Sequence, residues 1–143
     1  MLKLTKKILG EQSEAMAKKY LEQQGLIYVT QNFLCRRGEI DLIMKDEDQL
    51  VFVEVRYRSR DNHGTAAETI TRKKRRKIIL AAQYYLHKNQ LTEKVSCRFD
   101  IVTTGNSTKT CHNGACLNTS GTMGSGEVRW LKNAFDIDCI ATI

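Results

Sequence analysis

Two carboxylic acids sit in the middle of otherwise apolar segments, Asp41 in "GEIDLIM" and Glu54 in "VFVEVR". Apolar runs rich in β-branched residues read as strands, and the polar "KDEDQ" between them reads as a turn. Closing that turn over Asp46–Gln49 pairs Lys45 with Leu50, Ile43 with Phe52, Asp41 with Glu54 and Glu39 with Arg56. Residues two apart share a strand face. Glu39, Asp41, Glu54 and Arg56 are then expected on one face, and Ile40, Leu42, Val51, Val53 and Val55 on the other, the core face. Directly opposed side chains have Cβ atoms about 4.5–5.5 Å apart, where like charges repel. Two carboxylates at that separation need a shared proton or a cation. A divalent ion such as Mg²⁺ takes oxygen ligands, typically one or two carboxylates together with substrate phosphate. The pair is therefore a candidate metal site. The competing account is structural: Glu39 pairs with Arg56 across the strands, and basic neighbours neutralise Asp41.

A third acid falls into place through helical spacing. Residues 10–24 read as a helix, with Gly25 as its natural stop. Glu14, Ala17 and Leu21 recur at i, i+3 and i+7 and so share the inward stripe. Glu14 is thereby a candidate third ligand, although an acid in the first turn of a helix is also favoured by the macrodipole alone.

The other elements follow from pattern. Residues 26–34 read as a first strand, and 38–45 and 50–57 as the hairpin. A polar loop covers 58–69. A second helix runs from Thr71, its N-cap, to about Asn89, with an apolar stripe of Ile78, Ile79, Ala82, Tyr85 and Leu86. Residues 97–104 and 127–131 are two more strands. Between them, 105–126 holds five of the nine glycines and many Ser, Thr and Asn, the composition of a flexible insertion. The order predicts one α/β domain over 1–143, a mixed sheet flanked by helices.

Composition narrows the class. With 143 residues, 41% of them hydrophobic and 27% charged, the chain suits one globular core. No apolar run approaches the roughly 18 residues of a membrane span, and the start lacks the features of a secretion signal. Five cysteines at irregular spacing argue against a disulfide framework and for reduced thiols in the cytoplasm. A net charge of +7 favours a polyanionic partner, nucleic acid above all. Six consecutive basic residues, Arg72, Lys73, Lys74, Arg75, Arg76 and Lys77, open the second helix, and Arg58 and Arg60 extend a basic rim beyond Arg56. These are the candidate nucleic-acid contacts. Because a helix turns about 100° per residue, they cannot all face one partner. Cys111, His112 and Cys116 are too loosely spaced to read as a zinc site, and Trp130 and Phe135 read as core residues.

These residues resemble the bacterial YraN family. The resemblance is carried by "GEIDLI" (38–43) and "VFVEVRYR" (51–58), with "SEAMAKKYL" (13–21), "NF" (32–33), Thr71 with Lys74, "RFD" (98–100) and "NAF" (133–135) in matching order. The family is similar to the archaeal Holliday-junction resolvases within the PD-(D/E)xK nuclease superfamily. The resemblance implies a restriction-endonuclease-like α-β-β-β-α-β core and a Mg²⁺ or Mn²⁺ site. It assigns Glu14 as the helix-1 acid, Asp41 as the motif aspartate, and Glu54 and Arg56 as the E-x-K pair. It also implies branched DNA as partner and a two-fold homodimer. Arg56 stands where the superfamily usually has lysine; arginine keeps the charge but stays protonated, so it cannot serve as a general base. Three functions stay open on these grounds: a metal-dependent nuclease, a nucleic-acid-binding module with little or no catalysis, and a protein–protein adaptor.

Overall fold

The structure, a computed structural model, describes residues 2–58, 70–106 and 126–136. Seven elements follow in chain order: α1 (Leu2–Gln23), β1 (Ile27–Cys35), β2 (Gly38–Asp46), β3 (Gln49–Arg58), α2 (Arg72–Lys88), β4 (Ser96–Asn106) and β5 (Gly126–Phe135). The strands form one sheet in the order β1-β2-β3-β4-β5. All neighbours are antiparallel except β3 and β4, which run parallel because α2 carries the chain across between them. This is the α-β-β-β-α-β order of the restriction-endonuclease-like core, with β5 added at one edge.

Local chemistry explains the helix ends. Thr71 Oγ1 accepts the amide of Lys74 at 3.1 Å and caps α2, and Asn89 closes its other end. At the end of α1, Gly25 adopts φ +98°, and the amides of Gly25 and Leu26 donate back to the carbonyls of Glu22 and Leu21. This paired pattern is a Schellman stop, which only glycine enters without steric cost. The start of α1 lies further back than the predicted residue 10. The helix runs through Gly10, where open space surrounds the position, and Lys7 and Glu11 approach to 4.0 Å across one turn.

The hairpin is registered as expected from Asp46↔Gln49 to Leu42↔Val53. The expected faces need correction. Both faces of the hairpin are core, because helices cover the sheet on either side. Ile43, Leu50 and Phe52 pack with Ile78, Ile79 and Ala82 of α2, while Leu42, Met44, Val51 and Val53 pack with Ala17 and Leu21 of α1. Ile40, expected beside Leu42, packs instead with Ile43 under α2. Strict alternation therefore breaks at Asp41, where the regular pairing of β2 with β3 also ends. Directly alongside, Asn32 of β1 takes a positive φ of 52°.

The last strand pair is pinned by a buried carboxylate. Asp100, fully buried, accepts from Arg98 Nε, from Trp130 Nε1 at 2.9 Å and from the amide of Asn133 at 2.9 Å. This single group joins the "RFD" segment to the "NAF" segment, through the backbone amide of Asn133. Phe135 stacks on Phe99 with ring centroids 5.0 Å apart, so Trp130 and Phe135 are packing residues as expected. The strands also trim the predicted insertion: Gly105 and Asn106 belong to β4 and Gly126 to β5. The remainder of that segment, with Cys111, His112 and Cys116, lies outside the described residues.

Candidate active site

Asp41 and Glu54 sit on the neighbouring strands β2 and β3, where their regular pairing stops. The freed amide of Val55 donates to Asp41 Oδ2 at 2.9 Å, so the aspartate takes over part of the hydrogen bonding that a ladder would have supplied. Glu54 lies within hydrogen-bonding reach of Asp41 and is only 4% exposed. Burial first, and the charge of Asp41 second, push its carboxyl up to about 8. Lys74 and Arg56 oppose that shift, with Lys74 Nζ at 3.6 Å and Arg56 Nη1 at 4.0 Å from Glu54 Oε1. Glu54 Oε2 is buried and has no hydrogen-bond partner among the described residues. A buried acceptor left bare is costly unless a proton or a cation completes it.

Glu14 approaches from the other side of the sheet. Ala17 and Leu21, both fully buried, fix the rotation of α1, and Thr104 donates to Ser13 at 2.8 Å in the same turn. Glu14 is half-buried. Burial, and then the charge of Asp41, hold its carboxyl above the usual range, while a hydrogen bond with Asn32 pulls it back. It lines an open cleft of about 520 Å³ together with Asn32, Lys18 and Gln31. Asp41 thus lies electrostatically between the other two acids. The three do not converge into a ready-made cage: among the described residues, no three Asp, Glu, His or Cys side chains gather closely enough to hold an ion alone. The arrangement fits an ion held by one or two protein carboxylates and completed by phosphate and water, the usual habit of Mg²⁺.

The basic run divides by helical phase. Arg72, Lys73, Arg76 and Lys77 are exposed, whereas Lys74 and Arg75 are half-buried. Arg75 lies over the Phe135 ring at 5.7 Å, and Lys74 points to Glu54. Arg58 ends β3 half-buried, and Arg60 lies outside the described residues.

Two contributors to the site were not assigned a role from sequence. Asn32 was visible only as part of the short "NF" match, although asparagine tolerates the positive φ it adopts. Gly38 is the other. A Cβ there would stand 2.6 Å from the Lys77 carbonyl oxygen, so the glycine lets the first turns of α2 press against the start of β2.

Comparison with known proteins identifies relatives over most of the chain. The model of the uncharacterised protein family UPF0102 matches residues 13–104, from the second half of α1 through β1, the hairpin and α2 to most of β4. A UPF0102 protein of Coxiella burnetii (strain RSA 331 / Henzerling II) is 40% identical over 138 residues, 96% of this chain and 99% of its own length. One of Xylella fastidiosa (strain 9a5c) is 36% identical over 94% of this chain and 98% of its own. One of Hahella chejuensis (strain KCTC 2396) is 50% identical over 66% of this chain and 75% of its own.

Proposed function

We propose, from the premise that this chain belongs to the uncharacterised protein family UPF0102, that it is a divalent-metal-dependent, nuclease-like protein that binds DNA, branched DNA included, and hydrolyses phosphodiesters. The YraN family expected from the motifs is this same family. The observation that carries the reading is half-buried Asp41 beside buried Glu54, whose Oε2 is bare among the described residues and which two cationic side chains flank. The Val55 amide gives Asp41 a structural use, but nothing in an apolar hairpin calls for Glu54 beside it, and the pair suits a cation and a phosphate.

Asp41 and Glu54 would hold Mg²⁺ or Mn²⁺, with Glu14 near enough to contribute through water. The ion, when bound, supplies Lewis-acid polarisation of a phosphate and a more acidic water. Asp41 is held in place by the Val55 amide. Arg56 presents a fixed positive charge for the phosphate as negative charge builds on it. Arg72, Lys73, Arg76 and Lys77 offer an exposed basic surface that would track the DNA backbone with strong salt dependence and little sequence preference. A cytoplasmic location and a two-fold dimer facing both strands of a junction belong to the same reading. Among the described residues no helix is long and apolar enough to cross a membrane.

The test is cleavage of a four-way junction and of linear duplex with Mg²⁺ or Mn²⁺, using Asp41→Asn as control. Activity that persists in EDTA or in Asp41→Asn would sink the mechanism. Salt-sensitive DNA binding without cleavage would favour the second reading, a binding module, for which arginine at position 56 is the supporting observation.

A further inference from the structure

The α2 basic run contains one residue whose position is unlike that of its neighbours. Lys74 is four residues before Ile78 and eight before Ala82, both buried. It therefore belongs to the inward stripe of the helix. Its ammonium stands 3.6 Å from Glu54 Oε1, nearer than the guanidinium of Arg56 at 4.0 Å. Three features hold it there. Thr71 Oγ1 accepts its amide, Gly38 admits the α2 backbone close to β2, and Ile78 and Ile79 lock the helix rotation. Helix stability does not account for the choice, because the first turn of α2 has no acid and a cation there opposes the macrodipole.

We infer that Lys74 is a site residue, supplying from α2 the ammonium that β3 lacks with arginine at position 56, and not one of the backbone-tracking cations of the helix. The inference rests on the nuclease reading and deepens it. The two cations differ in kind. Arg56 is a planar fork suited to a phosphate edge, whereas an ammonium is a compact charge with three rotatable donors. At Lys74 those donors can span Glu54 and a water at once. Lys74 would act as a positioning residue, orienting water against the carboxylate pair. The exposed Lys73, one residue earlier, serves as the contrast.

The experiment compares wild type with Lys74→Met, Lys74→Arg, Lys73→Met and the double variant Lys74→Met/Arg56→Lys, each checked for folding by circular dichroism. Three quantities are read: junction cleavage rate, the salt dependence of DNA binding in EDTA, and Mn²⁺ affinity by electron paramagnetic resonance. Lys74→Met should lower the cleavage rate by about 100-fold, leave the salt slope unchanged and tighten Mn²⁺ by about two- to fivefold, because a cation beside Glu54 is gone. Lys73→Met should instead lower the salt slope by about one. Lys74→Arg should restore the wild-type Mn²⁺ affinity without restoring the rate, and Arg56→Lys should recover much of the rate lost in Lys74→Met. A Lys74→Met protein that lowers the salt slope as Lys73→Met does, or that leaves Mn²⁺ affinity and rate unchanged, overturns the inference alone. A wild type that neither binds Mn²⁺ nor cleaves overturns the nuclease reading and this inference with it.

Discussion

The backbone amide of Val55 donates to the carboxylate of Asp41 across 2.9 Å. One side chain therefore does two jobs. It satisfies a strand amide where the ladder has stopped, and it places a negative charge beside buried Glu54. The two jobs separate by substitution. Asp41→Asn keeps an acceptor oxygen for the Val55 amide and removes the charge, so this variant should stay folded. Asp41→Ala leaves the amide bare and should cost about 1–3 kcal/mol in urea unfolding. Equal stability of the two variants would show that the Val55 bond is not what holds this part of β3.

The stability of the metal-free protein should depend on pH in a defined direction. Glu54 has an ordinary value of 4.5 and is raised to about 8 in the fold. The folded state therefore keeps a proton that the unfolded chain releases between those values. The stabilisation from this group is complete below pH 4.5 and is lost as pH rises toward 8. Glu14 is shifted the same way. The melting temperature should fall across that window, Glu54→Gln should flatten the fall, and saturating Mn²⁺ should reverse it. A melting temperature that climbs steadily across the same window in EDTA would contradict the burial of the Glu54 carboxyl.

Gly38 sets how closely α2 can approach β2. A methyl group there would meet the Lys77 carbonyl oxygen at 2.6 Å. The obstacle is backbone and cannot rotate away. Gly38→Ala should cost about 1–3 kcal/mol, as overpacking does, and should shift the amide resonances of residues 74–78. An unperturbed α2 in the nuclear magnetic resonance spectrum would refute the close approach.

Asp100 ties β4 to β5 through three donors. Asp100→Ala leaves the partly buried Trp130 indole and the Asn133 amide without their acceptor, while the Arg98 guanidinium keeps Asp46 and Gln49. The expected loss is about 3–5 kcal/mol, the scale for removing one partner of a buried charged network. Trp130 fluorescence, which reports its own hydrogen bond, should shift to the red along with the lowered unfolding midpoint. A midpoint close to wild type would reduce Asp100 to an ordinary core polar group.

Much of this protein is determined by sequence alone. The α2 cap at Thr71, the Gly25 stop and the hairpin register from residue 42 to residue 53 follow from local rules: a threonine oxygen within reach of an amide, a glycine free to take positive φ, and a two-residue side-chain period. Family membership follows from motifs spaced by those same elements. Register arithmetic pointed to Asp41 beside Glu54; the two carboxyls do interact, although the regular pairing already ends at Leu42 and Val53.

Only the tertiary structure decided the rest. Alternation gives a strand two faces, but which of them is core depends on how many layers pack on it, and here α1 and α2 cover both. The crossing of Ile40 to the α2 side depends on the break at Asp41, which no period reveals. Lys74 reads as one cation in a run of six until the helix is docked. Docking depends on Gly38 meeting Lys77 and on Ile78 and Ile79 entering the core, contacts between residues far apart in the chain. Those distant contacts, rather than the motif itself, bring a lysine to the glutamate whose own strand carries arginine.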